Sequence, residues 1–514
     1  MTRNKKFFVF LFLLLALSVA YLPAYQYSYV FHDGVWFFKN DPGTFGIHPL
    51  HMTAVRLGRF VGAWHYTFLG WFIDSIEDLK ILRFLSVFQL AFCAALFVAY
   101  LQKPLGSTLA AIFSSILIFT QPPFQVLVSS EGNAFIVPAV WLSFIAGLLA
   151  KRVPYQKNFG KQMLDPHYTA AVLLLFYSIS IYQTAAMYYW VMVMLCLLSQ
   201  TGRSVKEVIK SAGRFFSVGF MALFIYAAVL FYLKQYYAEY LKTSYNLLYY
   251  AYAVEFNLLR KLKWFVQEPL INSLNLWNIF PQVRYAIMVA GFIGSGFLLR
   301  IFIFMKREKN RTARRAYLQK VFLYSCLFFI LFLLSFLPNL IAQGDAPFYR
   351  CCLGLTTMIV IALIFSIKSW TGILPDNIRN KVFTLILLLL SLAGICKSYQ
   401  TVLHCRALPS YFEKNYVKNI LKNTPLDQDK TIYLIRPDFS SLGLKRRYDE
   451  FGTLTTHYGG NKRAFLAAIL RELGMKNTKE YVEGLSIVYI LSVEDWYQFE
   501  DSAFVIDMRK LWDK

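Results

Sequence analysis

Charge is scarce in this chain. Only 16% of its 514 residues are Asp, Glu, Lys or Arg, against about 25% in soluble domains. That deficit, beside 57% hydrophobic residues, excludes an ordinary soluble globular protein. The apolar residues fall in runs of about 20, the length that spans a hydrocarbon core. Cysteine is scarce too. Of seven, Cys93, Cys196, Cys326, Cys351, Cys352 and Cys396 sit inside apolar runs, and Cys405 has no obvious soluble partner. There is no disulfide framework and no C-x-x-C metal pair. Each cysteine reads as a small buried hydrophobe.

Several motifs are missing. No Walker A sequence and no G-x-G-x-x-G after a strand is present, so no cytosolic ATP or dinucleotide site is visible. H-E-x-x-H and G-x-S-x-G are absent as well. The net charge of +24 would suit nucleic acid, but no nucleic-acid-binding motif accompanies it. The basic residues instead gather in short loops between apolar runs, as topology control requires. Internal repeats and low-complexity segments are lacking.

What is there is a series of eleven candidate spans, near 7–25, 81–101, 105–121, 134–150, 168–183, 185–200, 215–233, 284–304, 318–340, 350–368 and 382–397. The apolar start after Lys5-Lys6 is too long for a signal peptide and reads as a retained first span. The stretch 168–200 is either two spans or one long helix kinked at Tyr182-Gln183-Thr184. The positive-inside rule favours two, because one span would turn the six basic residues of 306–315 outward. The N-terminus is then cytoplasmic, and the large outer loops are 26–80 and 234–283. The fold class is an α-helical polytopic membrane protein, residues 1–397, followed by a small α/β extracytoplasmic domain, residues 398–514. That tail is polar, with helix-like stretches at 411–421 and 462–473 and strand-like runs at 431–435 and 486–491. Gly291, Gly294 and Gly296 suit close helix packing.

Candidate chemistry concentrates in the first outer loop. Asp33 lies eight residues past the first span, within Tyr29-Val30-Phe31-His32-Asp33-Gly34-Val35-Trp36-Phe37. A carboxylate among aromatic groups suits acid/base work; the alternative is a simple Asp-Gly turn. Residues 49–71 read as an amphipathic interfacial helix with Leu57, Val61, Trp64, Phe68 and Trp71 on one stripe. Arg56 and Arg59 share another face, where they hold a lipid phosphate or snorkel to the headgroups. His48 and His51 make only two ligands of a metal site. Asp74, Glu77, Asp78 and Lys80 read as a solvated edge. Other outer candidates are Glu131, Asp345, Tyr349 and Arg350. Arg350 stands at the mouth of a span, paired either with Asp345 or with a substrate phosphate. Arg260, Lys261 and Lys263 beside Phe256, Trp264 and Phe265 read as a second interfacial element.

The layout resembles the GT-C-type integral membrane glycosyltransferases, and within them the bacterial and phage-borne O-antigen glucosyltransferases of the serotype-converting, type-specific kind. The likeness is carried by His32-Asp33-Gly34, by Arg56-Leu57-Gly58-Arg59, by Tyr349-Arg350 and by Asp449-Glu450-Phe451-Gly452. Many such enzymes have two adjacent acidic residues in the first outer loop, whereas here the first position is His32. The resemblance implies a polyprenyl-phosphate sugar donor, in particular undecaprenyl-phosphate glucose, and a surface polysaccharide or lipid-linked acceptor such as O-antigen. It implies Asp33 as the base, and Arg56, Arg59, Tyr349, Arg350, His32 and Glu131 as substrate- or phosphate-binding residues. No cofactor is implied with certainty, and a divalent cation is left open. The implied setting is the bacterial inner membrane, with the lipid bilayer and no nucleic acid as partner. An O-antigen polymerase and a lipid-linked-sugar flippase or transporter are the rival readings. A transporter should carry charges in mid-span, which these spans nearly lack. A scaffolding membrane protein is a further alternative, with the tail as its working part.

Overall fold

The computed structural model describes residues 3–38, 51, 54–55, 57–154, 159–199, 204–241, 255–278, 283–345, 348–423, 432–435, 451, 454–457, 462–475, 487–490, 504–508 and 510. The principal helices are α1 (Arg3–Ala20), α2 (Phe60–Gly70), α3 (Leu79–Leu105), α4 (Thr108–Phe119), α5 (Pro122–Ser129), α6 (Val137–Arg152), α7 (Pro166–Ile181), α8 (Tyr188–Leu198) and α9 (Val205–Leu241). There follow α10 (Leu258–Gln267), α11 (Val283–Arg307), α12 (Arg311–Leu334), α13 (Leu353–Thr371), α14 (Asp376–Val402), α15 (Leu408–Asn423) and α16 (Lys462–Glu472). Three short strands, β1 (Ile432–Ile435), β2 (Ile487–Ile490) and β3 (Phe504–Asp507), make a parallel sheet in the order β2-β1-β3. Ile432 pairs with Ile487 on one side and Phe504 on the other. The strand-like runs expected in the tail are thus β1 and β2, and β3 is an addition.

Helix ends follow local chemistry. Gly106, at φ 75°, closes α3, and Ser107 caps α4 by accepting from the Ala110 N–H. Asp165 caps α7 ahead of Pro166, and Asn310 caps α12, each through a side-chain oxygen on otherwise orphaned N–H groups. Pro122 and Pro123 open α5, which bends 64° away from α4. The backbone groups freed at this bend are satisfied by side chains from afar. Gln125 Nε2 and Ser398 Oγ both donate to the Thr120 carbonyl, at 2.8 and 2.7 Å. Gln121 accepts the Trp277 N–H at 3.3 Å. Away from water, a broken helix persists only where such partners exist.

Among the described residues, six helices are long and apolar enough to cross a membrane, or seven if α4 and α5 form one bent span. All eleven expected spans fall on helices, but four of them fall on α1, α6, α7 and α8. The 16 residues of α6 or α7 give about 24 Å of helix, short of a hydrocarbon core of about 30 Å. α8 lies in the most buried part of the bundle, with Tyr188, Tyr189 and Trp190 all fully enclosed. The stretch 168–200 reverses direction. Gln162, just before α7, meets Ser217 of α9, near where Arg214 donates to the Val153 carbonyl at the end of α6. Ser178, near the end of α7, donates to Ala139 at the start of α6 at 2.7 Å. After the break at Tyr182 the chain returns, and the Tyr189 hydroxyl reaches the Phe215 carbonyl at 2.8 Å. This is the reversal that two spans require. Of the three glycines in α11, Gly296 packs closely: a Cβ there would lie 2.5 Å from Ser366 of α13. Gly291 and Gly294 face open space.

The last long helix does not stop at the end of its apolar run. α14 continues to Val402, passes through a π-helical turn, Leu403–Ala407, and leads into α15. α15 then holds the tail. Lys418 and Lys414 pair with Glu472 of α16 at 2.9 and 3.5 Å, and the Tyr416 hydroxyl donates to the Asp507 carbonyl of β3 at 2.9 Å.

Candidate functional site

The segment after the first span is buried, not looped out into solvent. Tyr29, Val30 and Phe31 are fully enclosed, and a 3-10 helix, His32–Phe38, follows them. The Gly34 N–H closes a turn onto the Phe31 carbonyl at 2.8 Å. The Asp-Gly turn expected as the alternative is therefore present, and it lies inside the protein. Gly34 is there because Glu131 presses on it: a Cβ would sit 2.1 Å from Glu131 Oε1. The backbone here places Asp33 within this buried turn; the side chains of His32 and Asp33 lie outside the described residues.

Glu131, expected from the sequence, meets this turn directly. Its Oε1 accepts the Phe31 N–H at 2.6 Å. Its Oε2 lies 3.1 Å from Arg83 Nη2 and accepts from Nε at 3.3 Å. Both side chains are fully buried. Arg83 also donates to the carbonyls of Ala24 and Tyr27, at 3.2 and 3.4 Å, and to that of Tyr29. Its guanidinium lies 3.6 Å from the centre of the Tyr29 ring, and the Tyr29 hydroxyl donates to the Ser129 carbonyl at 2.8 Å. Burial pushes that phenol up to about 12, with Arg83 and Arg406 opposing the shift and Glu131 adding to it. Arg83 escapes sequence reasoning because it looks like a span-end arginine reaching for headgroups. An arginine one turn into a long, mainly apolar helix is the signal that marks it.

A second cation comes from the other end of the chain. Arg406, in the π-helical turn after α14, lies fully buried with its guanidinium 3.3 Å from the Phe31 ring centre and 5.9 Å from that of Phe451. Single π-turns of this kind recur at functional sites. Tyr349 joins the same group, its ring 6.0 Å from that of Phe451, in a buried cluster with Val126 and Cys405. Phe451 belongs to the tetrapeptide 449–452; its three companions lie outside the described residues. Deeper in the tail, the Thr455 hydroxyl donates to the Val30 carbonyl at 3.1 Å. Glu413 of α15 holds the same turn: it accepts from the N–H of Thr455 at 3.0 Å and from the N–H and hydroxyl of Thr456 at 2.8 and 2.6 Å. Burial pushes the Glu413 carboxyl up to about 7, against those hydrogen bonds. None of Arg406, Glu413 or Thr455 is a candidate from the sequence.

The remaining expected residues sit around this centre. Arg59 stands just before the start of α2 and lies 4.1 Å from the centre of the Tyr182 ring, with Nε donating to Gln183 at 3.4 Å. Gln183 Nε2 in turn donates to the Leu57 carbonyl at 2.8 Å and to Tyr226 at 2.6 Å. Gly58, at φ 73°, is needed there, since only glycine adopts that conformation at no cost. A run of rings, Tyr182 to Phe135 to Tyr66 to Phe37, connects Arg59 to the Asp33 turn, with centroids 6.5, 3.9 and 6.2 Å apart. Arg56 and His48 lie outside the described residues. His51 is buried, within 3.2 Å of the Thr67 hydroxyl and edge-on to Trp64. Arg350 is half-buried, 5.4 Å from the Phe348 ring. Asp345, its candidate partner, instead binds Arg260 and Lys261 at 2.7 and 2.9 Å. Trp64, Phe68 and Trp71 of the expected amphipathic stripe are exposed, as are Leu258, Leu259, Leu262 and Val266 of α10. These are the outward apolar faces that an interfacial helix presents.

The family model for glucosyl transferase GtrII matches residues 41–367, more than half of the chain. The chain belongs to that family. It is a membrane glucosyltransferase acting on O-antigen. No curated protein matches the chain. Of the site as built here, Arg83, Glu131, Tyr349 and Arg350 fall within the matched stretch. Phe31 and Asp33 precede it, and Arg406, Glu413 and Thr455 follow it.

Proposed function

We propose that this glucosyltransferase takes glucose from a polyprenyl-phosphate donor and transfers it to O-antigen on the outer face of the bacterial inner membrane, with Asp33 as base. The observation that carries this reading is the fixing of the Asp33 turn from both sides, by Glu131 at Phe31 and Gly34 and by Arg406 at Phe31. A reaction base needs such preorganisation, because geometry decides its efficiency before acidity does.

In the proposed step an acceptor hydroxyl gives its proton to the Asp33 carboxylate as its oxygen attacks the anomeric carbon. The bond from that carbon to the phosphate oxygen breaks, and the polyprenyl phosphate leaves with the electron pair. Arg350, with Arg56 or Arg59, stabilises the charge that develops on the phosphate, as fixed cations do in a site poor in water. Tyr349, within the buried cluster, lines the approach; His32 stands beside the base. The exposed aromatic face of α2 and the apolar face of α10 support approach of the donor from the bilayer. The basic run 306–315 between α11 and α12 supports an orientation with the Asp33 turn outside, because basic loops stay in the cytoplasm.

The test is transfer by the purified full-length chain, supplied with undecaprenyl-phosphate glucose and lipid-linked O-antigen. Release of undecaprenyl phosphate coupled to glucosylated product supports the reading. Failure of this donor, with transfer from a nucleotide sugar instead, overturns it.

A further inference from the structure

We infer that Glu413 is a positioning residue for glucosyl transfer, fastening the tail onto the backbone beside Asp33 so that residues after the last span form a wall of the site. This rests on the assignment of Asp33 as base. The argument begins with burial. Glu413 is fully enclosed, and an enclosed carboxylate is costly unless its oxygens are engaged. Its two oxygens accept three hydrogen bonds, all from Thr455 and Thr456. A hydrophobic residue of similar size would serve packing as well or better. What the carboxylate adds is direction, since three donors fix the orientation of one short turn.

That turn is where direction matters. Thr455, held by its N–H to Glu413, spends its hydroxyl on the Val30 carbonyl, three residues before Asp33. Four further contacts run the same way. Lys414, next to Glu413, reaches the Ser28 hydroxyl at 3.3 Å. Arg406 lies over Phe31, and the Phe451 ring lies 5.9 Å from the same guanidinium. α16 packs against the 3-10 helix His32–Phe38. The backbone from 28 to 38 is thus gripped by the chain from 406 to 472, and Glu413 holds the middle of that grip. A shift of about 1 Å in a catalytic group costs on the order of 100-fold in rate, so loosening this turn should be felt at Asp33.

The experiment uses the full-length protein in lipid nanodiscs, with undecaprenyl-phosphate glucose and lipid-linked O-antigen, and reads kcat per folded molecule alongside KM for the donor. Glu413→Ala and Thr455→Val are expected to lower kcat about tenfold or more, with the donor KM nearly unchanged. Thr455→Ser, which keeps the hydroxyl, is expected to recover most of the loss. Thr455→Val is nearly isosteric and carries the test if Glu413→Ala does not fold. Wild-type kcat in Thr455→Val, with Asp33→Asn inactive, overturns the inference and leaves the base assignment standing. Full activity in Asp33→Asn is a different pattern: the base assignment fails, and the inference falls with it.

Discussion

Glu131 Oε1 takes the backbone N–H of Phe31 at 2.6 Å, while its other oxygen faces Arg83 at 3.1 Å with both side chains fully buried. One carboxylate therefore ties α3, the turn after α5 and the segment after the first span into a single unit. The segment so tied carries Asp33. This makes Glu131 a support of the site through the backbone, beside any part it has in substrate binding.

Removing Arg83 should leave the Glu131 carboxylate buried without its cation. Breaking a buried pair from one side costs about 3–5 kcal/mol, so Arg83→Met should be strongly destabilised in thermal unfolding of the detergent-solubilised protein. The double variant Arg83→Met, Glu131→Leu should recover part of that loss, because no uncompensated charge remains. A wild-type melting temperature in Arg83→Met contradicts the role given to the pair.

Glu413 predicts a pH dependence with a definite sign. Its carboxyl is held up to about 7 from an ordinary value of 4.5. Between those values the folded chain keeps a proton that the unfolded chain has lost. Stability from this group is then fully present below about 4.5 and is lost as pH rises through about 7. Melting temperatures of wild type and Glu413→Gln, measured from pH 4 to pH 8, should diverge in favour of the variant across that window. A constant difference across it contradicts the shift.

Arg350 and Asp345 should behave independently. Asp345 is taken up by Arg260 and Lys261 and not by Arg350, so Asp345→Asn should leave transfer within about twofold of wild type, the usual scale of an ion pair away from the reacting groups. Arg350→Ala should cost about 100-fold or more in kcat/KM if the guanidinium meets the leaving phosphate. Equal effects of the two substitutions contradict that division.

Orientation is testable without chemistry. A periplasm-dependent reporter fused after Lys514 should be active, and one fused within 306–315 should be inactive. The reverse pattern places the Asp33 turn in the cytoplasm and removes it from the reaction.

The sequence shows the helices well because apolar runs are local. Each expected span coincides with a helix, and the runs at 431–435 and 486–491 contain β1 and β2. Glu131 and Tyr349 were legible as polar groups at span mouths, and both come to the centre of the site. What was hidden lies in pairings across long stretches of chain. Thr455 and Val30 are 425 residues apart, and no periodicity links them. Arg406 and Glu413 sit in a helix that outruns its apolar run, so they read as ordinary surface residues of a tail. Arg83 was masked by its place, one turn into a span where a snorkelling arginine is unremarked. The shortness of α6 and α7 was already legible in the runs 134–150 and 168–183, which are about as long as the helices found.

The most direct test of the central claim is the turnover of Asp33→Asn, measured as glucose transferred per folded molecule from undecaprenyl-phosphate glucose to lipid-linked O-antigen. A general base contributes about 100- to 10,000-fold, so transfer should fall by at least about 100-fold while donor binding and thermal stability stay near wild type. Transfer at the wild-type rate contradicts Asp33 as the base.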